Sequence, residues 1–159
     1  MATATHDGIH FIREVAVRYT GPRRRALKKV RGPQDAIALM RRIVRDDARE
    51  HFIALFLDGR HHPIALQVVS IGTATASLVH PREVFQPAVL IGACGVIVGH
   101  NHPSGDPSPS PEDRSVTRRL VDAGKLIGVP LLDSVVWGSA AAYVSIRELA
   151  PEEFSSSAD

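Results

Sequence analysis

The stretch GVIVGHNHPSGDPSPSPEDRSV, residues 95 to 116, joins an apolar run to a helical pattern through a loop rich in Pro, Gly and Ser. Its first six residues, GVIVGH, predict a short buried strand and are compatible with parallel pairing. From Pro111 onward, apolar residues recur at helical spacing as far as Gly128, a residue type that often ends helices. The expected core face of this helix comprises Val116, Leu120, Ala123 and Ile127. A strand, a stiff loop and a helix in succession are typical of a layered α/β domain.

Two histidines and one aspartate in this stretch have the spacing of a metal site. His100 ends the predicted strand and His102 follows it, so both imidazoles can face one side of an extended segment. Together with the carboxylate of Asp113 they offer two nitrogens and one oxygen, and a fourth position left open suits a catalytic zinc ion. Helix capping is an alternative explanation for Ser110 and Asp113, because Ser-Pro-x-Asp is typical of a helix start. Capping does not explain the paired histidines.

The rest of the chain alternates strand and helix patterns. We expect strands at 12–19, 50–57, 63–72, 130–137 and 141–146. The tight turn at Asp58-Gly59 makes the second and third of these a hairpin. Helices are expected over 33–48 and from Pro81, since apolar residues recur on one face and proline suits a first turn. These elements predict an α/β domain with one mixed sheet, with no internal repeat and no linker that divides it.

Composition restricts the class of protein. The 159 residues suffice for one domain, and 44% hydrophobic residues can form its core. The only cysteine, Cys94, excludes a disulfide framework and a cysteine-based zinc site, and we expect it to be buried in a reducing compartment. The N-terminus shows no signal-peptide pattern, and no apolar run reaches the roughly 18 residues of a membrane span. We therefore expect a cytoplasmic protein that does not enter a membrane.

Positive charge is concentrated near the N-terminus. Between Arg13 and Arg31 there are eight basic residues and one acid, although the whole chain carries only +2. Such a block can bind phosphate groups, so nucleic acid is a possible partner through Arg23, Arg24, Arg25, Lys28, Lys29 and Arg31. The alternative is a solvated loop, because Gly-Pro pairs bound the block and no aromatic residues are interleaved for base stacking.

The pattern His100-x-His102-x7-Ser110-x2-Asp113 resembles the JAMM signature of JAB/MPN metallopeptidase domains. The sequences TASLVHPREVF, IVGHNHPSGDPSPS and GVPLLDSVVWG closely resemble the bacterial RadC family, and the resemblance covers residues 12 to 149. It implies a three-layer α/β/α sandwich with a mixed sheet, of the cytidine-deaminase-like kind, formed by one domain over 12–149. Residues 1–11 and 150–159 are then expected to be flexible tails.

The resemblance also implies roles for individual residues. His100, His102 and Asp113 are the implied ligands of one zinc ion. Ser110 is the implied hydroxyl that supports the tetrahedral intermediate, and a glutamate is the implied general base. We assign that role to Glu50, at the mouth of a strand covered on both faces, in preference to Glu83, a helix N-terminal carboxylate. The implied activity is zinc-dependent hydrolysis of an amide or isopeptide bond in a protein or peptide.

Two other function classes stay open at this point. The family's historical link to DNA repair and the basic block favour a DNA-associated protein, while some JAB/MPN relatives are catalytically silent interaction domains. The chain departs from many RadC relatives at Ser134, where they carry His, and we expect no N-terminal helix-hairpin-helix module. The letters HNH do not predict a nuclease, because that motif spreads its residues over a hairpin and a helix. We expect Asn101 to make a backbone-type hydrogen bond and Trp137 to be core.

Overall fold

A computed structural model describes residues 27–72 and 79–155 of the chain. The predicted strand at 12–19 and the arginines at 23–25 lie outside the described residues. The strands are β1 (Glu50–Leu57), β2 (Pro63–Gly72), β3 (Gly95–Asn101), β4 (Leu131–Trp137) and β5 (Tyr143–Ser145). The helices are α1 (Pro33–Met40), α2 (Pro81–Leu90), α3 (Pro111–Ile127) and α4 (Ile146–Leu149), followed by a 3-10 helix (Pro151–Phe154).

The five strands form one mixed sheet in the order β2-β1-β3-β4-β5. β1 pairs antiparallel with both β2 and β3, β3 pairs parallel with β4, and β4 pairs antiparallel with β5. The register sets Phe52 opposite His100 on one side and Val136 opposite His100 on the other. The start of β1 and the ends of β3 and β4 therefore meet at one edge, which we call the site end of the sheet.

Helices cover both faces of the sheet, as expected for a three-layer sandwich. Alternation along β1 shows why: Phe52, Ala54 and Phe56 belong to the core cluster shared with α2 and α3. Ile53, Leu55 and Leu57 belong to the cluster shared with α1. A strand that is apolar in both alternating sets therefore becomes a central strand with both faces buried. In the described part of the chain, no helix has the length and apolar character needed to cross a membrane.

Gly99 allows α1 to pack closely beside the site end. A Cβ atom at this position would lie 2.7 Å from Cγ2 of Val135 and 2.8 Å from Sδ of Met40. Contacts this short do not occur between ordinary packed atoms, so a side chain here would force α1 or β4 to shift. The glycine before His100 thus fixes the distance between the α1 layer and the sheet.

Three expectations about the periphery need correction. The helix expected over 33–48 ends at Met40, because the following residues turn and Arg41 reaches across to the β4–β5 turn. Ile127 is 44% exposed at the last turn of α3, just before Gly128 adopts the left-handed conformation at φ 81°. Cys94 is exposed in the turn before β3. Within the tail expected at 150–159, Pro151–Phe154 forms a 3-10 helix in which Glu153 pairs with arginines of α3, and the flexibility of the tail stays a prediction.

Candidate metal centre

His100 and His102 converge at the site end of the sheet. His100 is the penultimate residue of β3 and is buried, and its ring stacks at 5.8 Å between centroids on Phe52 of β1. His102 follows β3, and its backbone N–H donates to the carbonyl of Trp137 at 2.8 Å, which extends the β3–β4 pairing. The two Nε2 atoms lie 3.1 Å apart. The i, i+2 spacing therefore brings both rings to one point.

Asp113 completes the cluster from the first turn of α3. Its Oδ1 lies 3.1 Å from Nε2 of His100, and its Oδ2 lies 3.4 Å from Nε2 of His102. A capping box fixes this turn: the Asp113 N–H donates to Oγ of Ser110, and the Ser110 N–H donates to Oδ2 of Asp113. The two interpretations of Ser110 and Asp113 are thus compatible, because the cap that starts α3 also holds the carboxylate against the imidazoles.

The separations of these three groups fit a small cation. Zinc binds ligands at about 2.0–2.2 Å, so neighbouring donors in a tetrahedral site lie roughly 3.3–3.5 Å apart. The observed 3.1, 3.1 and 3.4 Å are close to that spacing. Nδ1 of His102 lies 2.8 Å from the carbonyl of Asp106, and donation along this contact leaves the lone pair on Nε2, which faces the cluster. His100, His102 and Asp113 could therefore hold a metal ion.

Electrostatics at Asp113 reflect the same crowding. Burial alone would raise the pKa of its carboxyl, but hydrogen bonding and charge from His100, with hydrogen bonds from Ser110, outweigh burial and hold that pKa well below its usual range. The carboxylate is therefore ionised at neutral pH. Ionised oxygen is the form that binds divalent metals.

Glu50 lies beside the three groups and not among them. It is the first residue of β1, and its Oε1 lies 4.0 Å from Nε2 of His100. Its Oε2 is buried and makes no hydrogen bond within the described ranges. Burial raises the pKa of this carboxyl and the nearby Asp113 charge adds to the effect, while the histidines oppose it. The rival carboxylate, Glu83, instead accepts from the backbone N–H of His80 and caps α2.

Asn101, between the two histidines, clamps the backbone on both sides of Glu50. Its Oδ1 accepts from the His51 N–H at 2.8 Å, and its Nδ2 donates to the Arg49 carbonyl at 2.9 Å. The expectation of a backbone-type hydrogen bond is confirmed. The sequence reasoning missed which backbone is held, because this depends on the β1–β3 register, which a single sequence does not give.

Ser134 supports the helix that carries Asp113. Oγ1 of Thr117 lies 2.8 Å from the Asp113 carbonyl and 3.0 Å from Oγ of Ser134, and both hydroxyl residues are buried. This pair of hydroxyl groups connects the first turns of α3 to β4. Sequence reasoning did not single out Thr117, although its position one turn after Asp113 is a signal for contact with the same turn.

Comparison with known proteins identifies the family of this chain. The family model described as the RadC-like JAB domain matches residues 30–151. A UPF0758 protein of Methanosarcina acetivorans is 48% identical over 121 residues, which cover 76% of this chain and 52% of that protein. A UPF0758 protein of Rubrobacter xylanophilus is 41% identical over 135 residues, 85% of this chain and 59% of that protein. The chain thus spans little more than half the length of these relatives, and it belongs to the RadC family of JAB domains.

Proposed function

We propose that this domain is a zinc-dependent hydrolase that cleaves an amide or isopeptide bond in a protein or peptide. The observation that carries the proposal is the approach of His100, His102 and Asp113 to within 3.4 Å of one another. Zinc bound there would polarise a carbonyl group and lower the pKa of water to about 7. Two nitrogens and one oxygen, with a fourth position for water or substrate, are typical of catalytic and not of structural zinc sites.

Glu50 is suited to move the proton in this reaction. Its Oε1 faces His100 at 4.0 Å, so the carboxylate can reach a water molecule held between them. Because burial raises its pKa, the Glu50 carboxylate is a stronger base than that of an exposed glutamate and takes a proton from water more readily. In the proposed reaction Glu50 takes a proton from water and delivers it to the leaving amine.

Ser110 is the residue that we propose to assist at the carbonyl oxygen. Its Oγ lies beside Asp113, where it accepts the backbone N–H at 3.1 Å. A hydroxyl group held next to the metal ligands can donate to an oxygen on which negative charge develops. We propose this role for Ser110 in addition to its capping role.

The basic residues suggest a second candidate function, nucleic-acid binding. Lys28, Lys29 and Arg31 are exposed, and the Val30 N–H donates to the His61 carbonyl in the β1–β2 turn. This places them near the sheet end opposite the metal centre, so the two functions can be tested separately. If this surface binds duplex DNA, affinity falls steeply as salt rises and falls further when Lys28 and Lys29 become Gln.

Metal content and turnover together test the hydrolase proposal. We expect about one zinc per chain in the parent and a large loss in His100→Ala and Asp113→Asn. His62→Ala, in the β1–β2 turn, and Asp122→Asn, on the exposed side of α3, are matched controls that should keep zinc. Glu50→Gln should keep zinc and lose peptide hydrolysis. Full zinc retention in both ligand variants would refute the metal centre.

A further inference from the structure

A groove of about 470 Å³ opens beside the metal centre on the α1 side of the sheet. Arg41, His102, Trp137 and Ala140 are among the residues that line it, and His102 is also a candidate metal ligand. Its volume is in the range of sites that hold small ligands or single side chains. A chain whose bond lies at the metal centre can therefore place a neighbouring residue in this groove.

One wall of the groove is held in an unusual backbone conformation. Ala140, in the β4–β5 turn, has φ 51°, which is uncommon for a residue with a Cβ atom. Gly138 in the same turn lies so close to the loop after His102 that a Cβ would be 1.9 Å from the Gly105 oxygen. Strained residues of this kind concentrate where a binding surface must keep its shape.

Arg41 keeps this wall in place and brings an unpaired charge to the groove. Its terminal nitrogens donate to the carbonyls of Gly138 and Ala140. Within residues 27–72 and 79–155, no carboxylate lies within ion-pair distance of Arg41. Carbonyl groups orient a guanidinium without cancelling its charge, and each terminal nitrogen keeps a second N–H for a ligand.

Asp47 also lines the groove, but it affects the local charge less. It is exposed, so solvent screens its carboxylate, whereas Arg41 is partly buried. Nε of Arg41 is buried and makes no hydrogen bond in the described part of the chain. The groove therefore favours an anionic group close to the reacting bond.

We propose that this groove is a substrate subsite for a carboxylate, with Arg41 as its specificity-determining residue. The proposal rests on the hydrolase function proposed above, since it assumes that substrate lies across the metal centre. A carboxylate can accept two parallel N–H groups from a guanidinium, which an amide of equal size cannot match. It could belong to an acidic side chain or to the C-terminus of a peptide, and the chemistry at Arg41 is the same.

Binding of matched peptides tests the proposal without turnover. The probes are short acetylated peptide amides that differ only by Glu or Gln, and a second pair that ends in a free carboxylate or an amide. Zinc-loaded Glu50→Gln protein is titrated, and NMR shifts of the Ser139 and Ala140 amides report binding. We expect the carboxylate member of one pair to bind about tenfold tighter, or more. The pair that shows the difference identifies the source of the carboxylate.

Variants then assign the difference to Arg41. Arg41→Gln should abolish the preference for carboxylate, and Arg41→Lys should retain part of it, which covers the case in which Arg41→Gln fails to fold. Arg42→Gln removes a neighbouring exposed charge that does not line the groove, and this variant should keep the preference. Equal binding within both pairs, or a preference that survives Arg41→Gln, overturns the proposal. If the parent protein hydrolyses peptides but shows no preference for a carboxylate, the subsite is refuted and the hydrolase proposal stands. If the protein prefers the carboxylate peptide but hydrolyses no peptide, the hydrolase proposal is refuted and the subsite stands.

Discussion

Replacement of Asn101 by Ala tests whether the clamp around Glu50 stabilises the domain. The change removes the acceptor of the His51 N–H and the donor to the Arg49 carbonyl. His51 is only 5% exposed, so its N–H would be left without water at a cost of about 1–3 kcal/mol. Arg49 is exposed and its carbonyl can regain water, which limits that loss to roughly 0.5–1 kcal/mol. We expect a total loss of about 2–3 kcal/mol in the free energy of unfolding.

Urea unfolding of the metal-free protein measures this loss. Trp137 is the only tryptophan and is buried, so its fluorescence reports unfolding of the sheet. Asp46→Ala is the matched control, because Asp46 also bonds the segment before β1, to the Ala48 N–H and the Arg49 side chain, but at an exposed position. The control should lose less than about 1 kcal/mol.

The same variant separates placement of Glu50 from metal binding. Asn101→Ala keeps the candidate ligands His100, His102 and Asp113, so under the proposed function we expect zinc stoichiometry near that of the parent while peptide hydrolysis falls. Asn101 is the only asparagine, so labelling of asparagine gives one side-chain amide signal, which should exchange slowly with solvent. A loss no larger than that of Asp46→Ala, together with a rapidly exchanging amide, would refute the clamp.

Three further predictions concern the scaffold of the metal centre. Ser110→Ala should lower the free energy of unfolding, measured with urea, by about 1 kcal/mol because the N-cap of α3 is lost. Ser115 is exposed on the same helix, and Ser115→Ala should lower it by less. Gly99→Ala should lower the free energy of unfolding by about 1–3 kcal/mol, because the added methyl group overpacks the α1 layer against the sheet. We expect a lower urea midpoint with an unchanged slope, and an unchanged midpoint would contradict the prediction. The pKa of Asp113 is lower in the folded protein than the value near 3.8 of an unfolded chain, so its ionised carboxylate stabilises the metal-free fold at pH values above 3.8. This stabilisation is lost as the pH falls toward the folded-state pKa. Acid unfolding of Asp113→Asn should therefore depend less on pH than that of Asp122→Asn; equal slopes would contradict this.

The sequence predicts the central elements well because each has a strong local pattern. The run EHFIALFL is apolar in both alternating sets, and the structure has it as the doubly covered β1. The Ser-Pro-x-Asp start and Gly128 bound α3 as expected. The two histidines and Asp113 also lie together as expected, since strand geometry and a helix cap fix them within a short stretch of chain.

Features set by distant contacts were not predictable. Apolar residues continue at helical spacing after Met40, so the sequence pattern predicts a longer α1 than the structure has. Arg41 instead contacts the β4–β5 turn, which is about a hundred residues away in the sequence and cannot be predicted from a local pattern. Exposure of Cys94 depends on where the turn before β3 lies, which an apolar run such as IGACGVIVG does not reveal. The Asn101 clamp depends on β1–β3 register, and a single sequence gives no register between strands far apart in the chain.

The candidate ligands are two imidazoles and one carboxylate, so no sulfur atom belongs to the candidate site. Thiolate ligands can be oxidised, and a centre built on them then loses its metal. The chain's only thiol, Cys94, is exposed at the opposite end of β3 from His100, roughly 20 Å away by the rise of a strand. Oxidation of this thiol by peroxide therefore does not alter the candidate ligand atoms, and a maleimide dye on Cys94 can follow the protein without occupying the candidate site.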